Sequence, residues 1–390
     1  MTKWSEWQTG RTDWAIGALE PDEILYYLNG PAIFTRRFGL ANYLFFKSDE
    51  YSDGDYLLAT IVDDVVLDAL KSGRLSVRGA LAQDTIWLVA ADLDMNVVRY
   101  EAKTEADAAR FLPKAGVPLR SSFRTAPDSL AQTDALFAFK FFGRDMSERG
   151  MPLSTFKEIV DKVTNVVQTA LTPDSLSGGR DRRFIDYPVR QPEFASLLIA
   201  IDEPRVDTAQ LRAGGRTRNL DPNAVFDEAF AKGRDFAGHI ERTVDLARAG
   251  GLPDQYAADN FVFLQQLVEI LPSSRSDVSK MQFSSNASGA QVFVEVDAHA
   301  ADLIRQSIKA VEHRAIYVTG IVDGLIGKSK TFRLQTDFGR EVTCQLGWRQ
   351  FDELVERDVL RFGVRLGVHG RYVKRDRRDL MHVEGDPIFF

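Results

Sequence analysis

The sequence has almost no cysteine. Cys344 is the single cysteine among 390 residues, so the chain forms no disulfide within itself and no zinc site built from cysteine pairs. Such sparing use of cysteine is typical of a reducing compartment. We therefore expect a cytoplasmic protein.

Long apolar runs are lacking as well. No stretch of eighteen apolar residues occurs, which is about the length that a membrane-spanning helix needs. The first eleven residues carry Trp4 and Trp7 but no apolar stretch as long as that of a signal peptide. We expect no membrane segment, and from the composition as a whole we expect a bacterial protein.

Charge of neither sign is in large excess. The 49 Lys and Arg against 56 Asp and Glu give a formal net charge of -7, which argues against a protein that coats nucleic acid but leaves room for a local basic site. The 44% hydrophobic and 27% charged residues are those of a globular protein. At 390 residues the chain exceeds one ordinary core, so two or three domains are expected.

The C-terminal part has the clearest pattern. Apolar residues at helical spacing predict a short helix over 350–358. Alternating apolar and polar or small side chains predict five strands, over 316–323, 331–336, 341–346, 363–373 and 380–383.

Three strands, a helix and two strands follow one another in the five-stranded Greek-key barrel, and this segment resembles that OB fold. The resemblance implies a closed barrel over 313–390. Gly363, Gly367 and Gly370 fall in one long predicted strand, where glycine relieves crowding as a strand bends around a small barrel.

The rest of the chain divides into three regions. Residues 1–22 are expected to form an arm, and 23–122 a β-rich module that resembles the N-terminal domains of uncharacterised bacterial proteins. Residues 123–312 mix both periodicities and predict an α+β domain, so the fold class is α+β and multidomain. In the β-rich module we predict one helix over 65–71 and strands over 32–35, 42–47, 56–62, 85–90 and 96–100.

The central region alternates helices with strands. A helix over 155–171 carries a continuous apolar stripe, and Thr155 with Glu158 matches a capping box at its start. Further helices are predicted over 224–249, 257–271 and 300–313, with strands over 135–142, 184–189, 194–201, 281–284 and 292–296.

Three short motifs suggest chemistry but fit turns and caps better. Residues 324–329 resemble a phosphate loop, yet Val322 stands where glycine is needed and the segment leads into a strand. Residues 49–55 resemble a calcium loop without its closing glutamate. Ser154 and Lys157 match a serine nucleophile with its lysine, but no Lys-Thr-Gly partner follows.

Histidines and carboxylates give no metal or catalytic pattern. The five histidines are scattered, although His369 and His382 lie on the last two predicted strands, where they could be cross-strand neighbours. Asp202-Glu203 and the pair Glu295 and Asp297 end predicted strands, but we expect no strand lysine beside them and therefore solvated strand ends. No cofactor, metal ligand or catalytic residue is predicted.

A basic hairpin is the strongest candidate for binding. The connection between the last two predicted strands is rich in basic side chains that can pair with phosphates, and nearby aromatic rings could stack on a base. Asp376 and Asp379 are expected to neutralise part of this charge. The candidate ligand-binding residues are Arg371, Tyr372, Lys374, Arg375, Arg377, Arg378 and Trp348, and two further basic loops contain Arg180, Arg182, Arg183, Arg212, Arg216 and Arg218.

Three functions remain open. The first is a non-catalytic binding or regulatory protein that docks a protein partner, in a bacterial regulatory or defence system. The second is nucleic-acid or nucleotide binding through the C-terminal barrel. The third is an enzyme whose residues converge only in the folded chain. The absence of any catalytic pattern favours the first.

Overall fold

A computed structural model gives the fold of the chain. It describes residues 4, 7, 10–12 and 18–390, apart from 124, 145, 147–149, 177–183, 191, 193–195, 216, 274–275, 288–290, 312–314 and 375–378. The chain divides into two compact units, Met1–Asp134 and Ala135–Phe390.

The N-terminal unit is built on one antiparallel sheet of six strands in sequential order. Each strand pairs with the next along the chain, so every connection is a hairpin or a short excursion. Its elements are β1 Glu23–Tyr27, β2 Pro31–Phe38, β3 Ala41–Tyr51, β4 Gly54–Val62, α1 Asp64–Lys71, α2 Val77–Leu81, β5 Ile86–Asp92, β6 Val97–Lys103, α3 Glu105–Ala108 and α4 Leu130–Asp134.

Trp4 and Trp7 of the predicted arm are packed into this unit. Trp4 is 1% exposed and its ring stacks on Tyr56 at 4.7 Å between centroids. The indole of Trp7 donates a hydrogen bond of 2.7 Å to Glu101. Both tryptophans therefore belong to the core of the sheet, since burying a large aromatic ring is among the strongest single contributions to packing.

The C-terminal unit begins with a four-stranded sheet in the order β12-β11-β7-β9, accompanied by helices. These elements confirm the α+β class. They are β7 Phe137–Gly143, α5 Leu153–Leu171, a 3-10 turn Asp174–Leu176, β8 Ile185–Asp186, β9 Leu197–Ile201, β10 Arg205–Val206, α6 Thr208–Ala213, α7 Pro222–Arg248, α8 Asp254–Asp259, α9 Phe261–Ile270, β11 Val278–Ser285, β12 Val292–Asp297 and α10 Ala298–Val311.

Two predictions for these helices are wrong. The predicted capping box is absent because α5 already begins at Leu153, and the Thr155 hydroxyl donates to Asp277 at 3.3 Å instead. The helix predicted over 257–271 is two helices, because Asn260 departs from helical geometry and its side chain donates to the Tyr256 carbonyl at 2.9 Å. A side chain that bonds nearby backbone in this way ends a helix.

The last elements close into the predicted barrel. Five strands form the ring β13-β14-β15-β17-β16, which is completed by pairing of β16 with β13. β15 and β17 are parallel, and this strand order, with α11 between β15 and β16, is that of the OB fold. The elements are β13 Ala315–Ile326, β14 Thr331–Thr336, β15 Glu341–Gln345, α11 Trp348–Glu356, β16 Arg365–Val373, β17 Asp379–Val383 and β18 Ile388–Phe389, which pairs with β16.

Glycine at position 370 permits this closure. A Cβ atom there would lie 2.1 Å from the His382 carbonyl oxygen on β17, so the two strands approach only because the side chain is missing. Gly363, by contrast, precedes β16 and adopts a positive φ of 81°. The predicted relief of crowding therefore applies to Gly370, while Gly363 serves a turn.

One hydrophobic core runs through the α+β region and the barrel. Phe261 of α9 meets Tyr372 of β16 at 5.3 Å between ring centroids, and Gln266 donates to the Phe338 carbonyl at 3.0 Å. The predicted boundary between residues 312 and 313 lies outside the described residues and stays a prediction. Among the residues that the structure describes, no helix combines the length and apolar character required to cross a membrane.

Candidate functional site: two surfaces of the C-terminal barrel

The predicted basic hairpin connects β16 with β17. Arg371 and Lys374 are exposed at its base, and neither takes part in an ion pair among the described residues. Arg375, Arg377 and Arg378 lie outside the described residues. Arg371 lies near the end of β16, and Lys374 is the first residue after that strand.

Tyr372 does not offer a stacking surface, which corrects the prediction for this residue. It is 5% exposed, and its hydroxyl donates a hydrogen bond to Asp379. Alternation along β16 turns Arg371 and Val373 outward and so turns Tyr372 into the barrel. Burial raises the pKa of the Tyr372 phenol, and the neighbouring Asp379 raises it further.

Asp379, one of the two acidic residues expected to neutralise part of the hairpin, is buried, and the other, Asp376, lies outside the described residues, so this neutralisation stays a prediction. The side chain is 2% exposed and accepts hydrogen bonds from the Arg340 guanidinium and the Tyr372 hydroxyl. Its carboxylate forms an ion pair with Arg340, which comes from the turn between β14 and β15. Of the two acidic residues expected to weaken the basic hairpin, one is thus removed from the surface.

Trp348 is exposed beyond the end of β15. It is 63% exposed at the first position of α11, and the Arg349 guanidinium sits 4.9 Å from the centroid of its ring. Along β15, Val342 is opposite Asp379 and Gln345 is opposite His382, which also pairs with Arg371. Because residues 375–378 lie outside the described residues, the position of Trp348 beside the hairpin stays a prediction.

Trp348 follows one end of β15, and Asp379, the first residue of β17, pairs at the other end. The turn 327–330, which contains the exposed Lys328, precedes Thr331, and Thr331 pairs with Gln345 at the Trp348 end of β15. We call the outward surface of β14 and β15, with this turn and Trp348 at one end and the β16–β17 hairpin at the other, the loop face. Its two ends each carry exposed cationic groups.

The other predicted basic loops are only partly described. Arg212 is exposed in the last turn of α6 and Arg218 is exposed shortly after it. Arg180, Arg182, Arg183 and Arg216 lie outside the described residues. Convergence of three basic loops on one side therefore stays a prediction.

A cleft of about 700 Å³ that sequence reasoning missed lies between the helices and the barrel. One wall comes from α7 and α8, and the other comes from β13 and β16 together with the turn between β14 and β15. Its charged lining contains five carboxylates, Asp174, Glu228, Asp235, Asp259 and Asp337, against the two cations Lys232 and Arg365.

Both cations of the cleft take part in ion pairs. Lys232 pairs with Asp174, and Arg365 lies 3.6 Å from Asp174 and 2.8 Å from Asp337. Asp337 also accepts a hydrogen bond from the Thr319 hydroxyl. Glu228 is engaged separately, since it accepts from the Asp174 backbone N–H at 2.6 Å.

Two histidines face this cleft. His369 on β16 lies opposite Tyr317 on β13, with ring centroids 4.5 Å apart. His239 on α7 contacts Phe338 and Phe263 at 5.3 Å each. Burial lowers the pKa of the His239 imidazole, so the ring is neutral at neutral pH.

His369 and His382 share the outward face of the barrel but are not directly opposite. Arg371 is the residue paired with His382, so the two histidines are diagonal neighbours across the strands. The cross-strand relationship predicted for them is therefore confirmed only in this looser sense.

The remaining sequence motifs are structural. Residues 327–330 and 52–53 are hairpin turns between β13 and β14 and between β3 and β4, as predicted. Asp202 pairs with Arg190 at 2.6 Å. Glu295 pairs at 3.1 Å with Lys280 on the neighbouring strand, which corrects the expectation that no strand lysine stands nearby.

A polar stripe on α7 is the signal that could have indicated the cleft. Glu228, Lys232, Asp235 and His239 follow one another at spacings of four, three and four residues and so share one helical face. In the described part of the chain no three His, Cys, Asp or Glu side chains are grouped as a metal site requires.

The chain matches no protein-family model, no curated protein and no solved structure.

Proposed function

We propose that this protein is a non-catalytic binding protein whose barrel docks a macromolecular partner, and that the partner is single-stranded nucleic acid held on the loop face. The observation that carries the proposal is the exposure of Arg371 and Lys374, which form no ion pair with the described residues, while Asp379 is buried against Arg340. Phosphate oxygens are the groups that such exposed cations pair with in nucleic-acid complexes.

The charge of the barrel supports this choice. Residues 315–390 contain thirteen Lys and Arg and eleven Asp and Glu, whereas the whole chain has a net charge of -7. The excess of negative charge therefore resides outside the barrel. A locally positive module on an acidic protein attracts an anionic polymer to that module alone.

Trp348 supplies the second element of the proposed site. An exposed indole is a platform on which a base can stack, and such stacking tolerates any sequence because every base has a flat face. Arg349 beside the ring adds a cation at the same end of the loop face. Backbone contacts at the hairpin and stacking at Trp348 together predict affinity for single strands with little sequence preference.

The test is fluorescence polarisation with a labelled single strand of about 16 nucleotides, within the range that one OB barrel covers. We expect salt-sensitive binding by the full chain and at least about tenfold weaker binding by the double variant Arg371→Ala/Lys374→Ala. The matched control is Arg357→Ala/Arg361→Ala, because these exposed arginines are paired with Glu353 and Asp358. Equal losses in both variants would refute the site.

A protein partner in a bacterial regulatory or defence system is the second candidate. The observation that favours it is the exposure of Ile388 (47%) and Phe390 (68%) on and beside the short edge strand β18, since exposed apolar groups on a sheet edge suit a protein interface. This function predicts a stoichiometric complex that Phe390→Ala disrupts, while oligonucleotide is not bound. An enzyme, with residues that converge in the cleft, stays a prediction.

A further inference from the structure

One wall of the cleft is aromatic. Tyr317 lies across Gly367, where a Cβ atom would stand 2.0 Å from the tyrosine hydroxyl, and its ring packs on His369. Gly367 therefore makes room for the ring on the outer surface of the barrel. Phe338, which contacts His239, adds a second aromatic surface to the same cleft.

The opposite wall carries two carboxylates that form no ion pair within the described part of the chain. Asp235 on α7 and Asp259 at the end of α8 are exposed, and across the described ranges no Lys or Arg forms an ion pair with either. Asp259 accepts a hydrogen bond of 2.8 Å from the neutral side chain of Gln255. Lys232 and Arg365 are engaged by Asp174 and Asp337, so they do not offset this charge.

We infer that the cleft binds a small organic cation, an alkyl polyamine whose ammonium groups pair with Asp235 and Asp259 while its hydrocarbon stem lies along Tyr317, His369 and Phe338. A cation over an aromatic face is attracted by the negative charge of the ring. A volume of about 700 Å³ lies within the usual range of about 300–1,000 Å³ for small-molecule sites.

The electrostatics discriminate against other ligand classes. A phosphate or carboxylate ligand would face five carboxylates with both cations already paired, and like charges at this range repel. A neutral ligand would strip water from Asp235 and Asp259 without replacing it by a counter-charge, which costs free energy. The neutral His239 ring adds no positive charge that would repel an ammonium group.

The experiment is isothermal titration calorimetry of the full chain with spermidine at low salt. We expect saturable binding of one molecule per chain, weakened about tenfold in Asp235→Asn/Asp259→Asn because both ion pairs with the ammonium groups are lost. Asp227→Asn is the matched control, since Asp227 is exposed on the same helix but does not line the cleft. Tyr317→Ala is expected to weaken binding by severalfold through loss of the aromatic wall.

Several outcomes would overturn the inference. They are equal affinity in wild type and Asp235→Asn/Asp259→Asn, an equal loss in Asp227→Asn, or displacement of spermidine by an equal concentration of Mg²⁺, which would mean general attraction to an acidic surface. If the Asn variant does not fold, as judged by circular dichroism, Tyr317→Ala decides alone. Because Arg371 and Lys374 lie outside the cleft, Arg371→Ala/Lys374→Ala should bind spermidine as wild type does even if oligonucleotide binding fails.

Discussion

The loop face and the cleft are two surfaces of one barrel with opposite charge. At the loop face an acidic residue, Asp379, is turned inward and paired with Arg340, so basic groups remain outside. In the cleft the basic residues Lys232 and Arg365 are paired, so carboxylates remain. The charge that each surface exposes therefore depends on which side chains are engaged in ion pairs, and residue counts alone do not reveal this.

Two tyrosines of adjacent strands make the same point for aromatic rings. Tyr317 on β13 faces outward and lines the cleft, whereas Tyr372 on β16 faces the barrel interior. Burial raises the pKa of both phenols. Only the outward ring is placed to meet a ligand, because successive side chains of a strand point to opposite faces.

The largest effect is expected from removing the buried charge that distinguishes the loop face. Asp379→Ala leaves the Arg340 guanidinium and the Tyr372 hydroxyl without their acceptor inside the barrel. Removing one partner of a buried ion pair costs about 3 kcal/mol or more, and we expect a loss of that size in the free energy of unfolding, measured by urea denaturation. Glu384→Ala, an exposed carboxylate beyond β17, is the control. A loss equal to that of the control would contradict the role of Asp379.

A smaller effect is expected at the other end of the loop face. Trp348→Ala should weaken oligonucleotide binding about tenfold, since stacking of one base contributes about 1–3 kcal/mol. Stability should change little because the indole is 63% exposed. Polarisation with the same labelled strand measures the change, and Trp348→Phe should retain most of the affinity. Unchanged affinity in Trp348→Ala would remove the stacking platform from the proposal.

The smallest effect concerns the cleft and its dependence on pH. Burial lowers the pKa of folded His239 below its ordinary value of 6.5, so the unfolded chain takes up a proton first as the pH falls. The stability that neutral His239 contributes is therefore complete above pH 6.5 and is lost progressively below it. Asp235 opposes this shift and Arg242 adds to it.

His239→Phe should abolish that part of the pH dependence. Urea denaturation at neutral pH and about one unit below the ordinary histidine pKa is expected to show a smaller loss of stability in the variant than in the wild type. His299→Phe, at an exposed position of α10, is the control and should behave as wild type. If the free energy of unfolding changes between the two pH values by the same amount in His239→Phe as in the wild type, titration of His239 does not contribute to the pH dependence.

The local part of this fold was predictable from sequence. β14 spans the predicted residues 331–336, and the neighbouring barrel strands deviate by a few residues at their ends, because alternation is a property of the strand itself. The first strand, β1, was not predicted, since four of its five residues are exposed and no alternation marks it. The alternation that predicted β16 also predicts that Tyr372 points into the barrel, so this orientation could have been inferred from the sequence.

The cleft was beyond sequence reasoning for a different reason. Its walls come from α7 and from strands more than sixty residues further along the chain, and their meeting depends on tertiary packing. The pairing of Asp379 with Arg340 likewise joins the first residue of β17 to the turn between β14 and β15. Local patterns carry no information about such contacts, although the polar stripe on α7 marks a face that meets water or a ligand.

The salt dependence of oligonucleotide affinity is the most direct test of the claim that the loop face binds an anionic strand. The logarithm of the affinity is measured against that of the salt concentration, between about 50 and 200 mM, for the wild type and Arg371→Ala/Lys374→Ala. We expect a slope smaller by about 1.4 in the variant, because each cation on a phosphate of a single strand contributes about 0.7. Identical slopes in the two proteins would contradict the claim.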